Sequence, residues 1–217
     1  MNTSYLIDFL ENKQVSTITK TKHSYLTYHG LEEGYTYVLK KGIVKTSIIL
    51  KNGREFNLSY INSTDIVSLL RDEISAYTAS PLNVRIESDE AIFYRIPRKT
   101  FWDYVNHDTH LQDYVRDYYR IKLTQNIKSL QWMTMNGKKG AVCAFIYKLI
   151  DIFGRRGATG ILIDFPITNE EIANFCGIST RNSVNRIIHD LKEQHVIDIK
   201  NQKIFIYDEN YLREFTI

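Results

Sequence analysis

The hydrophobic period of this chain changes once, at Pro97, and that change narrows the available folds more than any other feature. Before the proline, apolar residues come in short runs separated by turn residues. "YTYVLKKGIVKTSIIL" is β-branched and aromatic and breaks at Gly42. "KNGREFNLSYI" opens on Asn52-Gly53, the strongest short hairpin signal. "LNVRIES" and "EAIFYRIP" add two strands, the second closed by Pro97. Short strands at roughly 8–12-residue spacing predict a sandwich or jelly roll. Ahead of them, residues 1–13 predict a small helix.

After Pro97 the period is helical. "RKTFWDYVN" predicts a short helix, and Asp108 or Thr109 is placed to cap a longer one. The longer helix carries apolar residues at Leu111, Val115, Tyr118, Leu123, Ile127, Leu130 and Met133. Such a stripe on an otherwise charged helix is expected to be a coiled-coil seam between two copies; the plainer alternative is a helix lying on its own domain's sheet. "MNGKKGA" then breaks the helix, with a hinge expected at Gly137 and Gly140.

The last region reads as a helix (139–153), a Gly-rich turn (154–160), the strand "ILIDF", two short helices and the hairpin "VIDIKNQKIFIYD". Thr168 and Glu171 form a T-x-x-E capping box at the start of the first short helix. Gly177 ends that helix, and Ser179 or Thr180 starts the next. Two short helices about a glycine turn match the helix-turn-helix, and the hairpin with Asn201-Gln202 at its tip supplies a wing. The expected fold is therefore α+β: a sandwich or jelly roll over 1–97, which the resemblance given below makes a β-roll sensor domain, a short helix and a long dimerisation helix over 98–136, and a winged helix-turn-helix over 137–217.

"GISTRNSVNRIIHDLKE" (177–193) has one apolar face, Val184, Ile187, Ile188 and Leu191. The opposite face holds Asn182, Arg186, His189 and Glu193, with Arg181 and Ser183 on its shoulders. In a helix-turn-helix the second helix enters the major groove, where Asn can pair bidentately with adenine and Arg with guanine. Thr180 and Ser183 are short donors suited to phosphate oxygens. The predicted DNA-contacting set is Thr180, Arg181, Asn182, Ser183, Asn185 and Arg186. A solvated polar face is the bland alternative, but it leaves the capping box, the glycine turn and the hairpin unexplained.

Bulk charge does not help. The chain has 28 basic and 25 acidic residues, a net charge of +3, so DNA binding must rest on helix geometry. Cys143 and Cys176 form no CxxC pair, which leaves no iron–sulfur or zinc motif. Cys143, within "AVCAFIYKLI", reads as core more readily than as a redox switch. Free thiols, no basic and apolar leader and no long apolar run fit a cytoplasmic location without a membrane span. His107 and His110 are spaced to share a metal but have no third ligand nearby, and His23 and His29 form no H-x-H; no metal site is expected. No catalytic arrangement of nucleophile, base and orienter is visible.

"YVLKKGIVKTSIILKNGREFNLSYINSTDIV" resembles the β-roll of the Crp/Fnr family of bacterial transcription factors, and "ITNEEIANFCGISTRNSVNRIIHDLKEQHVI" resembles its DNA-binding motif. The family's recognition helix commonly runs R-E-T-V-x-R; here it is Arg181-Asn182-Ser183-Val184-Asn185-Arg186. "MNGKKGAVCAFI" with "SVNRII" is similar to the PrfA subgroup of Gram-positive regulators. The resemblance implies a homodimer on near-palindromic double-stranded DNA, with RNA polymerase as a further partner. Asn182 stands where the family has Glu, so the family's usual half-site does not transfer, and one extra residue separates Gly177 from Arg186. The F-G-E and R-[ST]-A stretches of cyclic-AMP binders are missing from "DIVSLLRDEISAYTASPLNVRIES", where Arg71 is the only cation before the Ala-Ser-Pro stretch; cyclic AMP is not expected. The PrfA likeness implies a small thiol such as glutathione in a pocket between the domains, with Tyr60, Tyr118 and Lys122 as candidates to line it. Ligand-free constitutive binding is equally open. The rival class is a jelly-roll enzyme or ligand-binding protein whose winged helix contacts protein.

Overall fold

A computed structural model describes residues 2–68 and 79–216. The chain divides into two compact units, Met1–Thr124 and Gln125–Ile217. Arg71 lies outside the described residues.

The first unit contains α1 (Thr3–Asn12), β1 (Thr17–Thr21), β2 (Tyr25–Thr27), β3 (Tyr35–Lys41), β4 (Val44–Ile49), β5 (Glu55–Ile61), β6 (Asn83–Ile86), β7 (Glu90–Pro97), α2 (Arg98–His107) and the first half of α3 (Thr109–Met135). Its strands form two antiparallel sheets, ordered β1-β7-β3 and β2-β6-β4-β5. The period of two along β7 explains the layering. Ala91 and Phe93 join Leu39, Val44, Val84 and Ile86 in the roll's interior. Tyr94 and Ile96 turn the other way, onto Leu6 and Leu10 of α1, Phe101 and Val105 of α2, and Leu111, Val115 and Tyr118 of α3.

Gly42 does break the β-run, between β3 and β4. Its φ is +113°, and a Cβ there would stand 2.7 Å from Ala91 Cβ and 2.8 Å from the Glu90 carbonyl oxygen. The Asn52-Gly53 hairpin is also present, between β4 and β5, but only Gly53 has positive φ (+79°). A two-residue type I′ turn needs two such residues, so the loop is longer, with Leu50 N–H donating to the Arg54 carbonyl at 2.8 Å. Strands β1 and β2 were not expected: "TITKT" and "YLT" hold too few apolar residues to stand out. Asp108, not Thr109, caps α3: its Oδ1 accepts from Leu111 N–H at 2.9 Å.

The α3 stripe is two stripes. Leu111, Val115 and Tyr118 are buried against the roll, whereas Leu123, Ile127 and Leu130 are 63%, 58% and 63% exposed. Each trio follows i, i+4, i+7, but the step from Tyr118 to Leu123 is five residues. Five residues rotate the face by about 140° around an α-helix. Tyr119, also exposed, extends the second stripe by one turn. The helix thus lies on its own domain along its first half, as the plainer alternative held, and its second half carries an exposed apolar stripe.

In the second unit, α4 (Gly137–Phe153) packs against β9 (Gly160–Ile163), α5 (Asn169–Phe175), α6 (Arg181–Glu193) and α7 (Glu209–Arg213). Its sheet is ordered β10 (Ile197–Lys200), β11 (Lys203–Ile206), β9, β8 (Gly154–Gly157). The Gly-rich stretch expected as a turn is in fact strand β8, paired with β9 from Gly154 opposite Ile163 to Gly157 opposite Gly160. The helix break falls at Asn136 and Gly137, where φ is +59°. Gly140 is no hinge: it lies inside α4, and a Cβ there would overlap Asn136 Cβ at 2.1 Å. The junction is tied to the chain's end, with Asn136 Nδ2 donating to the Phe215 carbonyl at 3.2 Å and Trp132 Nε1 to the Thr216 carbonyl at 3.3 Å. No helix among the described residues is long and apolar enough to cross a membrane.

A Gly42→Ala variant is expected to lose about 2 kcal/mol of stability, because the methyl group meets backbone and an immobile Cβ. Urea unfolding followed by Trp102 fluorescence measures it; an unchanged midpoint would mean that β3, β4 and β7 separate more easily than their contacts indicate.

Candidate nucleic-acid interface

Helix α5 is fixed at both ends by local chemistry. Thr168 Oγ1 accepts from Glu171 N–H at 3.1 Å while the Glu171 carboxylate accepts from Thr168 N–H at 3.0 Å, completing the capping box. At the other end Gly177 adopts φ +63°, and Ile178 N–H donates back to the Ala173 carbonyl at 2.9 Å. This is a Schellman stop, and buried Ile178 supplies its hydrophobic contact. The chain then has three residues in which to turn before α6 begins.

Val184, Ile188 and Leu191 bury one face of α6, each worth about 1.5–3 kcal/mol of apolar burial. The opposite face, Asn182, Arg186, His189 and Glu193, is exposed, as is Arg181. Among the described residues, Arg181, Asn182 and Arg186 have no hydrogen-bond or ion-pair partner. The remaining members of the predicted set are engaged within the protein. Thr180 occupies the N-cap position with extended backbone, yet its hydroxyl does not cap; it shares a 2.9 Å hydrogen bond with the Ser183 hydroxyl. Asn185 Oδ1 accepts from Asn169 Nδ2 at 2.7 Å. Asn169 was not among the expected site residues, and the only sequence signal for it was its place just after the capping threonine.

A second Schellman stop ends α6: His195 takes φ +56° and Val196 N–H donates to the Leu191 carbonyl at 3.0 Å. Strands β10 and β11 follow at once, paired from Ile197 opposite Ile206 to Lys200 opposite Lys203. Asn201 and Gln202 both have positive φ, 52° and 61°, as a type I′ hairpin requires. The Gln202 carbonyl accepts from Ile167 N–H at 2.9 Å, which ties the wing to the segment before α5.

Four cations around this frame are spent on ion pairs. Arg155 and Lys203 both meet Asp164, at 2.7 and 2.5 Å, and hold its carboxyl below the usual range. Arg156 makes a two-point contact with Glu209 at 2.7 and 2.9 Å. Lys192 meets Asp198 at 2.9 Å. The guanidinium groups at the start of α6 are left for an external anion or base edge.

In the first unit, two of the three residues expected to line a ligand pocket are brought together. Lys122 Nζ donates to Asp65 Oδ2 at 2.6 Å and lies 5.4 Å from the centre of the Tyr118 ring. Burial, then the Asp65 charge, pushes the Tyr118 phenol well above its ordinary range. Lys122 is thus committed to a carboxylate. Tyr60 belongs to β5, opposite Lys45 of β4. Near it, Asn57, Ser47 and Asn83 stand side by side across β5, β4 and β6, all buried. The Asn57 amide, the Ser47 hydroxyl and Asn83 Nδ2 have no hydrogen-bond partner among the described residues. Asparagine is poorly suited to strands, and each unsatisfied buried group costs about 1–3 kcal/mol.

His107 bonds back to the Asp103 carbonyl at 2.8 Å, and His110 packs on the Tyr5 ring. Cys143 and Cys176 are both buried, and burial raises each thiol to about 12.

Residues 140–215 match the family described as the Crp-like helix-turn-helix domain. Over 208 residues the chain is 60% identical to the lactate racemization regulatory protein of Lactiplantibacillus plantarum, spanning 96% of this chain and 94% of that protein. It is 25% identical over 184 residues to the listeriolysin regulatory protein of Listeria monocytogenes, with 83% and 76% of the two chains covered. Among solved structures, a CRP/FNR-family transcriptional regulator from Thermus thermophilus superposes with a TM-score of 0.74 at 16% identity, over 93% of this chain and 98% of that one.

An Arg186→Ala variant is expected to lose about 1–3 kcal/mol of binding to a preferred duplex while its weak, salt-dependent binding to random duplex is retained. Titrations on both duplexes separate the cases; equal losses would remove Arg186 from base reading. In native protein at pH 8, iodoacetamide should leave Cys143 and Cys176 unmodified, since thiols this buried and this basic are almost entirely protonated. Rapid labelling of either would reopen a redox role.

Proposed function

The chain belongs to the Crp/Fnr family of transcription regulators, and on that premise we propose that it binds a near-palindromic duplex as a homodimer and controls genes of lactate racemization. The observation that carries the DNA reading is the start of α6, where Arg181, Asn182 and Arg186 are exposed and unpartnered on a helix locked by its opposite face. Arg186 and Asn182, one helical turn apart, are the base readers; Arg181, Thr180 and Ser183 contact the backbone or an adjacent base. Asn182 favours an adenine where relatives with Glu accept from cytosine. The target process is carried over from the 60% identical lactate racemization regulatory protein. RNA polymerase is the remaining partner, and the cytoplasm the place of action.

The second copy is held by the exposed half of α3. Tyr119, Leu123, Ile127 and Leu130 form an exposed apolar stripe with the spacing of a short coiled-coil seam. The two recognition helices of such a dimer would enter successive major grooves about 34 Å apart. Control by a small ligand is supported by the buried polar row of Asn57, Ser47 and Asn83, whose amide and hydroxyl groups suit a polar guest. A ligand there acts only through differential affinity for two states of the protein.

Selection of bound duplexes from a random pool, with and without reduced glutathione, tests this reading. An inverted repeat is the expected result; enrichment only with the thiol would identify the effector, and no motif under either condition would sink the reading-head assignment. For the dimer, Ile127→Glu should give a monomer at micromolar concentration by sedimentation and lose the inverted-repeat preference. A dimer of undiminished stability would place the interface elsewhere.

A further inference from the structure

The two asparagines on the outward side of α6 are not equivalent. Asn182 has a free carboxamide, able to offer one donor and one acceptor together, which is the two-point pattern adenine presents at N6 and N7. Asn185 is different. Its Oδ1 is occupied by Asn169 Nδ2 at 2.7 Å, across the gap between the first residue of α5 and the second turn of α6. The side chain of Asn185 is exposed, while that of Asn169 is partly covered. The capping box and the Schellman stop fix α5, so the donor on Asn169 comes from a stationary platform.

We propose that Asn169 is a positioning residue for DNA reading: it holds Asn185 with its oxygen turned inward, so that Asn185 meets the duplex as a hydrogen-bond donor only. The fitting groups are acceptors on base edges, guanine O6 and N7, adenine N7 or thymine O4. Adenine loses its usual advantage with asparagine at this position, because the oxygen that would take its N6 amino proton is turned toward Asn169 instead. Site preference is thus set partly by a residue outside the recognition helix. This inference rests on the reading of α6 as a DNA-contacting helix.

Removing the platform should change which base is preferred, not merely how tightly the protein binds. Asn169→Ala frees Asn185 Oδ1 and restores the two-point option, so preference at one position of each half-site should move toward adenine by roughly fivefold or more, the scale of one bidentate contact. Asn169 is not part of the reciprocal Thr168–Glu171 cap, so the melting temperature should hardly move. The experiment is duplex selection with full-length wild type, Asn169→Ala, Asn185→Ala and the double variant, together with Arg186→Ala. Support requires that the Asn169→Ala shift fall at a single position and vanish in the Asn185→Ala background. An unchanged preference in Asn169→Ala overturns the proposal. So does a loss uniform across sequences with a shallower salt dependence, the signature of a phosphate contact. A wild type that selects no motif, or an Arg186→Ala variant indistinguishable from it, refutes instead the reading of α6 on which the proposal stands.

Discussion

Asp65 sits where three parts of the first unit meet, and the course of α3 depends on it. Its Oδ1 accepts from Ile66 N–H at 2.8 Å and from the Tyr114 hydroxyl at 3.4 Å, and its Oδ2 from Lys122 at 2.6 Å. Its backbone oxygen accepts from Leu39 N–H in β3 at 2.8 Å. A buried carboxylate is tolerated only when paired and hydrogen-bonded, so these contacts form a set in which each member is needed. Tyr114 and Lys122 are about two turns apart on one side of α3, and two anchors fix the helix's rotation about its axis. With that rotation fixed, Tyr118 must face the roll and Leu123, five residues on, must face away.

The second unit achieves definition by the opposite means. No charge is buried along α6; three aliphatic side chains hold it, and two Schellman stops with a capping box set its limits. Ion pairs surrounding it neutralise Arg155, Arg156, Lys192 and Lys203. A nearly neutral protein can therefore still present a local positive surface, because Arg181 and Arg186, without ion-pair partners among the described residues, are exposed in the first two turns of one helix. Bulk charge carries little information about such a surface.

Sequence pattern revealed what local rules control. The burial of Val184, Ile188 and Leu191, the Thr168–Glu171 box and the Gly177 stop are all set within a few residues, and each is present. Strands β1, β2 and β8 were hidden for different reasons: TITKT has a single aliphatic residue, YLT is only three residues long, and GRRG is glycine and arginine; pairing with β7, β6 and β9 supplies what so short or polar a segment cannot signal alone. The division of α3 was written in the sequence, as a step of five, but a tally of apolar positions does not register an angle. The Asn169–Asn185 bond joins residues 16 apart and depends on how two helices meet. Lys122, expected to face a ligand, is held by a carboxylate 57 positions earlier, a tertiary fact that no local rule contains. Residues 69–78, within the stretch that lacks the cyclic-AMP motifs, lie outside the described residues.

Were the exposed stripe of α3 covered only by a second copy, as proposed, the molecule would be sensitive to its own abundance. While pairing is far from complete, mass action makes a doubling of total protein raise the paired form roughly fourfold. Gene copy number, translation rate and dilution at cell division would then become inputs to promoter occupancy. Side chains such as Leu123 and Leu130 would in that way set the steepness of a dose–response curve, a property of the cell's accounting of protein number that no single chain displays.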